Sequence, residues 1–182
     1  MKPFKFANFN QLTLYHAQRT RIVKLHYAVG ECSSVDTLLL LEFLSTQKTT
    51  PITLQICSPG GSVDHGLVLY DFIKTSKVPI YTHCTGMAAS MGAVLLGAGK
   101  RGHRTASKNA RIMIHQPSSG YIGKATDIEV HAKETARIKK LLNTLLSQDT
   151  NQKFEKVSKD TELDLWMTAE EAKKYGIIDK VI

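Results

Sequence analysis

Apolar positions along the chain switch repeatedly between a period of two and a period near 3.6, and the switches mark out its elements. Residues 21–29 read as a strand. Val35, Leu38, Leu39, Leu41 and Leu44 then recur at helical spacing behind Ser33 and Ser34, which are expected to cap that helix. PITLQIC, residues 51–57, is a short strand that runs into Ser58-Pro59-Gly60-Gly61, a turn signal. Val63, Leu67 and Tyr70 carry the next helix over 63–76. A second unit repeats the order: VPIYTHC from Val78 predicts a strand, Gly86 is expected to break it, and residues 88–98 predict a helix of small residues that only a packed interior favours. Residues 111–115 form the following strand.

Thr126 and Glu129 have capping-box spacing and predict the start of the longest helix, which runs to about residue 147 with Ile128, Ala132, Ala136, Ile138, Leu141, Leu142 and Leu145. At ~1.5 Å per residue it spans ~30 Å. That is nearly the width of a small domain, so it is expected to protrude and to pack against another subunit. Thr168 and Glu171 form a second capping box, Gly176 stops that helix, and residues 177–182 predict a last strand. Alternating strands and helices imply parallel pairing with right-handed crossovers, hence an α/β fold with helices packed on a sheet.

Size and composition narrow this picture. At 182 residues, 42% apolar and 22% charged, the chain fits one domain, 1–182. The formal charge of +8 arises from basic residues spread over Lys24, Lys74, Lys100, Arg101, Lys108, Lys139 and Lys140. They form no long run and have no interleaved aromatics, so solvated surface charge is expected, with no nucleic acid partner. Cys32, Cys57 and Cys84 form no CxxC pair, and the last two lie in predicted strands as buried free thiols. Lys2 and Lys5 precede no apolar stretch of signal-peptide type, and no run reaches membrane-span length. A cytoplasmic, reducing location follows as an expectation, with no membrane contact.

The chemistry concentrates at two strand ends. A serine hydroxyl becomes a useful nucleophile only when exposed, held beside a base and faced by N–H donors for the oxyanion. Ser90 stands where a strand turns into a helix, so its side chain and the N–H of Met91 fall at the positive helix end, among Ala88, Ala89, Gly92 and Ala93. In a parallel sheet the Ser58–Gly61 turn lies beside it, and Gly61 is a candidate for the second oxyanion donor. Alone, either signal is more often an ordinary turn or cap. Among seven histidines, His115 ends the apolar strand RIMIH before Gln116-Pro117, where catalytic groups gather. His65, near the Gly-Gly turn beside Asp64, is its rival and is expected to be solvated. Asp164 sits among Leu163, Leu165 and Trp166, an apolar setting in which a carboxylate needs a partner such as a histidine N–H. Asp160, in a polar stretch, reads as a surface acid. No pair of histidines or cysteines has metal-ligand spacing, and serine chemistry requires no metal or cofactor.

Four stretches, SPGGSV, GMAASMGA, ARIMIHQPSSGYIGKATDIEVHAKE and MTAEEAKKYGIIDKVI, resemble the ClpP family of proteolytic subunits over nearly the whole chain from Arg21. The separations of 25 residues from Ser90 to His115 and 49 from His115 to Asp164 agree with that family. The resemblance implies a crotonase-like spiral of strand–helix units with a protruding handle helix over about 126–148. It implies Ser90 as nucleophile, His115 as base, Asp164 as orienting acid, and the N–H groups of Gly61 and Met91 as the oxyanion hole. Substrate is expected along Gly60, Ser62, Gln116, Pro117 and the strand containing Gly120, Tyr121 and Ile122. The implied partners are further copies of the chain in seven-membered rings stacked in pairs, polypeptide substrates, and a hexameric AAA+ ATPase unfoldase that alone uses ATP. The chain departs from the family at Thr53 and Gln55, where aromatic residues are common, and at Leu163, where an arginine is common. Its segment before Arg21 is short and has no axial-loop pattern. A weakly active or non-proteolytic subunit in a mixed ring with a paralogue is the alternative reading. An acyl-CoA enzyme of crotonase type and a membrane-anchored Ser-Lys peptidase fit the residues less well.

Overall fold

Strands with alternating burial and helices with one buried face account for most of the computed structural model, which describes residues 9–182. The predicted N-terminal segment, 1–20, therefore lies partly outside the described residues. Its described part folds as α1 (Phe9–Thr20), an element the weak apolar pattern did not reveal. There follow β1 (Ile22–Leu25), α2 (Glu31–Gln47), β2 (Ile52–Ser58), α3 (Val63–Thr75), β3 (Ile80–Ala89) and α4 (Met91–Ala98). The chain continues through β4 (Arg104–Ala106), β5 (Arg111–Ile114), α5 (Ala125–Thr150), α6 (Phe154–Asp160), β6 (Leu165–Thr168), α7 (Ala169–Tyr175) and β7 (Lys180–Val181).

The sheet runs β1-β2-β3-β4-β7 with every neighbour parallel, as the alternating units require. β5 joins β3 in parallel and β6 returns antiparallel against β5. Gly86 does not break β3. At φ +72° it marks the point where the strand changes neighbours, from β4 at Thr82–Cys84 to β5 at Met87–Ala89. The strand therefore continues to Ala89, and the helix expected from residue 88 begins at Met91. Ile52, Leu54, Ile56, Ile80, Thr82 and Cys84 turn inward under the helices and are buried. Thr53, Gln55, Tyr81 and His83 alternate with them on a half-exposed polar face. Each fully buried Leu or Ile in this core is worth roughly 1.5–3 kcal/mol relative to exposure.

Two helix starts differ from expectation. α2 begins a turn earlier than Ser33 and Ser34 suggest: Gly30 is its N-cap, and the Ser33 hydroxyl instead accepts the Gly30 N–H at 3.0 Å. Val35 and Leu39 consequently face outward, while Ser34, Thr37, Leu41 and Leu44 are buried. α5 starts at Ala125 behind Lys124 with no side-chain cap, so Thr126 and Glu129 form no capping box there. The helix is 26 residues long, or ~39 Å. Its buried positions begin only at Leu142, Ile138 one turn earlier packs partly against the core, and the turns before that are largely exposed. At the other end the Thr168–Glu171 capping box forms as expected, and Gly176 ends α7 in the left-handed conformation.

Candidate active site

The nucleophile candidate is created by backbone geometry. Ser90 has φ 55° and ψ −125°, a conformation that costs a non-glycine residue of order 1–3 kcal/mol and persists only where neighbours enforce it. Enforcement comes from the sheet: the Ser90 N–H donates to the Met113 carbonyl on β5 at 2.8 Å. The turn lifts the hydroxyl out of the strand plane at the head of α4, whose eight residues are all buried.

His115 follows directly on β5, the strand next to Ser90, so one pairing sets both positions. Its Nε2 lies 2.9 Å from Ser90 Oγ, and its Nδ1 lies 2.9 Å from Asp164 Oδ1. The carboxylate accepts, so Nδ1 carries the proton and Nε2 is free to accept the Ser90 hydroxyl. Asp164 precedes β6, the strand that pairs antiparallel with β5. A clamp closes this corner. The Gln116 N–H donates to the Thr161 carbonyl at 2.7 Å, and Gln116 Nε2 donates to the Glu162 carbonyl at 2.9 Å. The hydrogen bond expected of Asp164 is present, but its setting is not apolar in the single chain: Asp164 is 57% exposed and Leu163 82%. His65, the rival base, is half-buried in the first turn of α3 and makes no hydrogen bond to Ser90 or Asp164. Asp160 is not a plain surface acid, for it accepts from Tyr175 at 2.9 Å and pairs with Lys156.

The Gly-Gly turn packs directly on Ser90. A methyl group added at Gly60, φ 89°, would stand 2.6 Å from Ser90 Cβ and 2.9 Å from the Met91 nitrogen. Gly61, φ 146°, is equally constrained, since a Cβ there would reach the Val29 carbonyl oxygen. Val29 donates to the Gly60 carbonyl and accepts from the Ser62 N–H, both at 2.8 Å. These bonds turn the Gly61 N–H to the opposite side, and it has no hydrogen-bond partner among the described residues. The Met91 N–H begins α4 and so has no intrahelical acceptor. Both residues line a cavity of about 70 Å³ together with Ser90 and His115, and its remaining walls include Val63, Val94, Ile114, Leu142 and Leu146.

The predicted substrate contacts divide. Pro117 lines this cavity; Gly60 and Ser62 belong to the turn behind it; Gln116 is engaged in the clamp. Gly120, Tyr121 and Ile122 do not line it and form no strand in the single chain. Their segment folds back on α5, with Tyr121 stacked on His131 at 3.7 Å and Ser119 bonded to Thr135 at 2.9 Å. Ile122 is fully exposed. Sequence reasoning missed Leu142 and Leu146 as cavity walls, although their spacing on one face of α5 was visible. It also missed the Gln116 clamp, for which the sequence has no signal because the acceptors are backbone carbonyls.

A strained serine at a strand–helix elbow, a neutral imidazole beside it, a carboxylate behind that and two unpaired N–H groups can together carry out acyl transfer. Fold and site thus define a serine hydrolase of the crotonase-like α/β class. The Clp protease family model matches residues 9–182, and the chain belongs to that family. It is 55% identical over 139 residues to the ATP-dependent Clp protease proteolytic subunit 2 of Prochlorococcus marinus subsp. pastoris, covering 76% of this chain and 69% of that one. The protein is a serine peptidase of the Clp type. No described helix is long and apolar enough to cross a membrane. No group of three metal-ligating side chains occurs among the described residues.

Proposed function

We propose that Ser90 is the nucleophile, His115 the general base and Asp164 its orienting acid in the hydrolysis of unfolded polypeptides. The observation that carries this reading is the unbroken relay Ser90 Oγ–His115 Nε2 and His115 Nδ1–Asp164 Oδ1, each link 2.9 Å. As Ser90 Oγ bonds to the scissile carbonyl carbon, its proton passes to His115 Nε2. The N–H groups of Gly61 and Met91 hold the oxyanion, and Asp164 holds the imidazolium that forms. His115 then gives the proton to the leaving amine, and the C–N bond breaks to leave an acyl ester on Ser90. Water, deprotonated by His115, hydrolyses the ester. The apolar walls of the small cavity beside Ser90, Val63, Val94, Ile114, Leu142 and Leu146, suit an aliphatic side chain next to the cleaved bond. No cofactor takes part.

In this reading the chain, a single domain, works in the cytoplasm as seven-membered rings stacked in pairs. An AAA+ ATPase feeds the chamber with unfolded chain, and α5 makes the contact between rings. Support for the oligomer comes from family membership and from the apolar residues that α5 and its approach leave exposed, Ile122, Ile128 and Val130. The test combines light scattering on the eluted protein with cleavage of a fluorescent, intrinsically unfolded protein. A species of seven or fourteen chains that cleaves it is the expected result. A large species that cleaves only after a paralogous subunit is added would instead assign this chain a supporting place in a mixed ring.

A further inference from the structure

Basic residues that are scattered along the sequence are brought together by the fold. The C-terminal ends of α3, α4 and α5 meet the start of β3 around a cavity of about 480 Å³. Five cationic side chains line it, Lys74, Lys77, Lys100, Arg101 and Arg104, against one carboxylate, Asp149. Several of these groups are already engaged. Arg104 forks onto Asp179 at 2.6 and 3.0 Å and donates to the Asp149 carbonyl at 2.8 Å. The Asp149 carboxylate accepts from Lys74 at 2.6 Å and from the Tyr70 hydroxyl at 2.9 Å. Burial, and then the neighbouring Asp149, push the Tyr70 hydroxyl well above its ordinary pKa, so it stays a donor in that bond. Arg101 uses Nη2 on the Gln148 carbonyl at 2.9 Å.

Two arginines on helix-terminal carbonyls are ordinary C-terminal capping. Lys77 and Lys100 are different: neither ammonium group has a hydrogen bond or an ion pair among the described residues. Both oxygens of the one carboxylate in the lining are occupied, so like charges face one cavity without a free counter-ion. With every lining group in its usual charge state, the side chains carry +4, or +3 once Asp179 is included, and the negative C-terminal ends of α3, α4 and α5 offset only part of this. An anion bearing a single charge would leave most of that uncompensated. The volume exceeds one phosphate group, and no aromatic side chain lines the walls.

We propose that this cavity binds a short phosphate chain, free or as the triphosphate of a nucleotide, held by Lys77, Lys100 and the unused donors of Arg101. Recognition is of the phosphates, because no aromatic side chain lines the walls and Arg104 is held by Asp179 and the Asp149 carbonyl. The site lies apart from Ser90, and it stands or falls independently of the peptidase mechanism.

The test is calorimetric titration of the full chain in magnesium-free buffer at fixed chloride concentration, since exposed charge pairs weaken with salt. Tripolyphosphate, ATP, GTP, orthophosphate and a hexaglutamate peptide serve as probes. The expected result is saturable binding of one tripolyphosphate per chain, about tenfold or more tighter than orthophosphate. ATP and GTP should fall within about threefold of each other. The Lys77→Gln/Lys100→Gln double variant, altered only at exposed positions, should weaken tripolyphosphate by about tenfold or more, while Lys153→Gln/Lys180→Gln should leave it unchanged. Equal losses in both double variants, no saturable binding, strong discrimination between bases, or tighter binding of hexaglutamate would each overturn the proposal.

Discussion

Two strand–turn–helix units stand side by side in the sheet, β2 into α3 and β3 into α4, and they treat the same topological corner in opposite ways. In the first, the unusual backbone falls on glycines, Gly60 and Gly61, and the result is one backbone N–H, that of Gly61, left free beside Ser90 while its neighbours at Gly60 and Ser62 are bonded. In the second it falls on Ser90, which keeps a side chain in a conformation that resists one. The first turn can lie against the second only because Gly60 has no side chain, as the 2.6 Å approach of an added Cβ to Ser90 Cβ shows. One corner therefore supplies the Gly61 N–H, the other supplies the nucleophile and the Met91 N–H, and neither makes a site alone.

The comparison breaks most sharply at the second corner. Ser90→Ala should lower peptide hydrolysis by about five to six orders of magnitude in kcat with the melting temperature unchanged or raised, since alanine keeps the elbow and removes only the hydroxyl. Stopped assays on matched protein preparations would check this. Asp164→Asn should cost about four orders of magnitude, because an amide at that position favours the wrong tautomer of His115. Its effect should be smaller than that of Ser90→Ala, and a larger one would mean that Asp164 also holds the fold.

Changes at the first corner should act on stability and activity together. Gly60→Ala forces Ser90 or the turn to move and should destabilise the chain by about 2–4 kcal/mol, readable in a denaturant titration. It should also reduce kcat by about a hundredfold or more by displacing the Gly61 oxyanion donor. If stability fell and kcat did not, the turn would be scaffold only.

How much of this was legible follows from the kind of signal each part leaves. Ser90 and His115 were readable because each ends an apolar strand at a break in the pattern, and Asp164 because its neighbours are apolar. The apolar reading of Asp164 nevertheless pointed to burial, whereas in the single chain Leu163 and Trp166 lie on the surface. β4 is three residues of mixed character and β6 four, too short for a period to show, and they are held by pairing with distant strands. The Thr126–Glu129 spacing was a genuine pattern, but the helix starts one residue earlier, so threonine is already inside it.

Away from both corners, smaller effects sharpen the contrast. On the open face of β3, the Thr105 hydroxyl donates to the Thr82 carbonyl at 3.2 Å, so it must accept from His83 Nδ1 at 2.8 Å. That bond fixes the Nδ1–H but is open to either charge state; it is burial that disfavours the imidazolium and lowers the His83 pKa below the usual 6.5. The unfolded chain then binds more protons in that range, so this contribution to stability is present above the unfolded pKa and is lost as pH falls from about 6.5 through the folded value. His83→Gln should flatten that slope in melts taken between about pH 5 and 7, with no change in kcat. The thiols should show the least effect of all. Cys84, pushed up to about 12 by burial and then by Cys57, should stay unmodified by a thiol reagent in the native protein, while exposed Cys32 reacts. Equal rates for the two would show that β3 opens far more readily than its packing suggests.

The central claim is that the strained elbow makes Ser90, and no other serine, the nucleophile. Reaction of the native protein with a fluorophosphonate, followed by proteolysis and mass mapping, tests it most directly. The account predicts one adduct per chain on Ser90, absent from His115→Ala. Stable modification at a different residue, or modification of Ser90 that survives loss of His115, would contradict it.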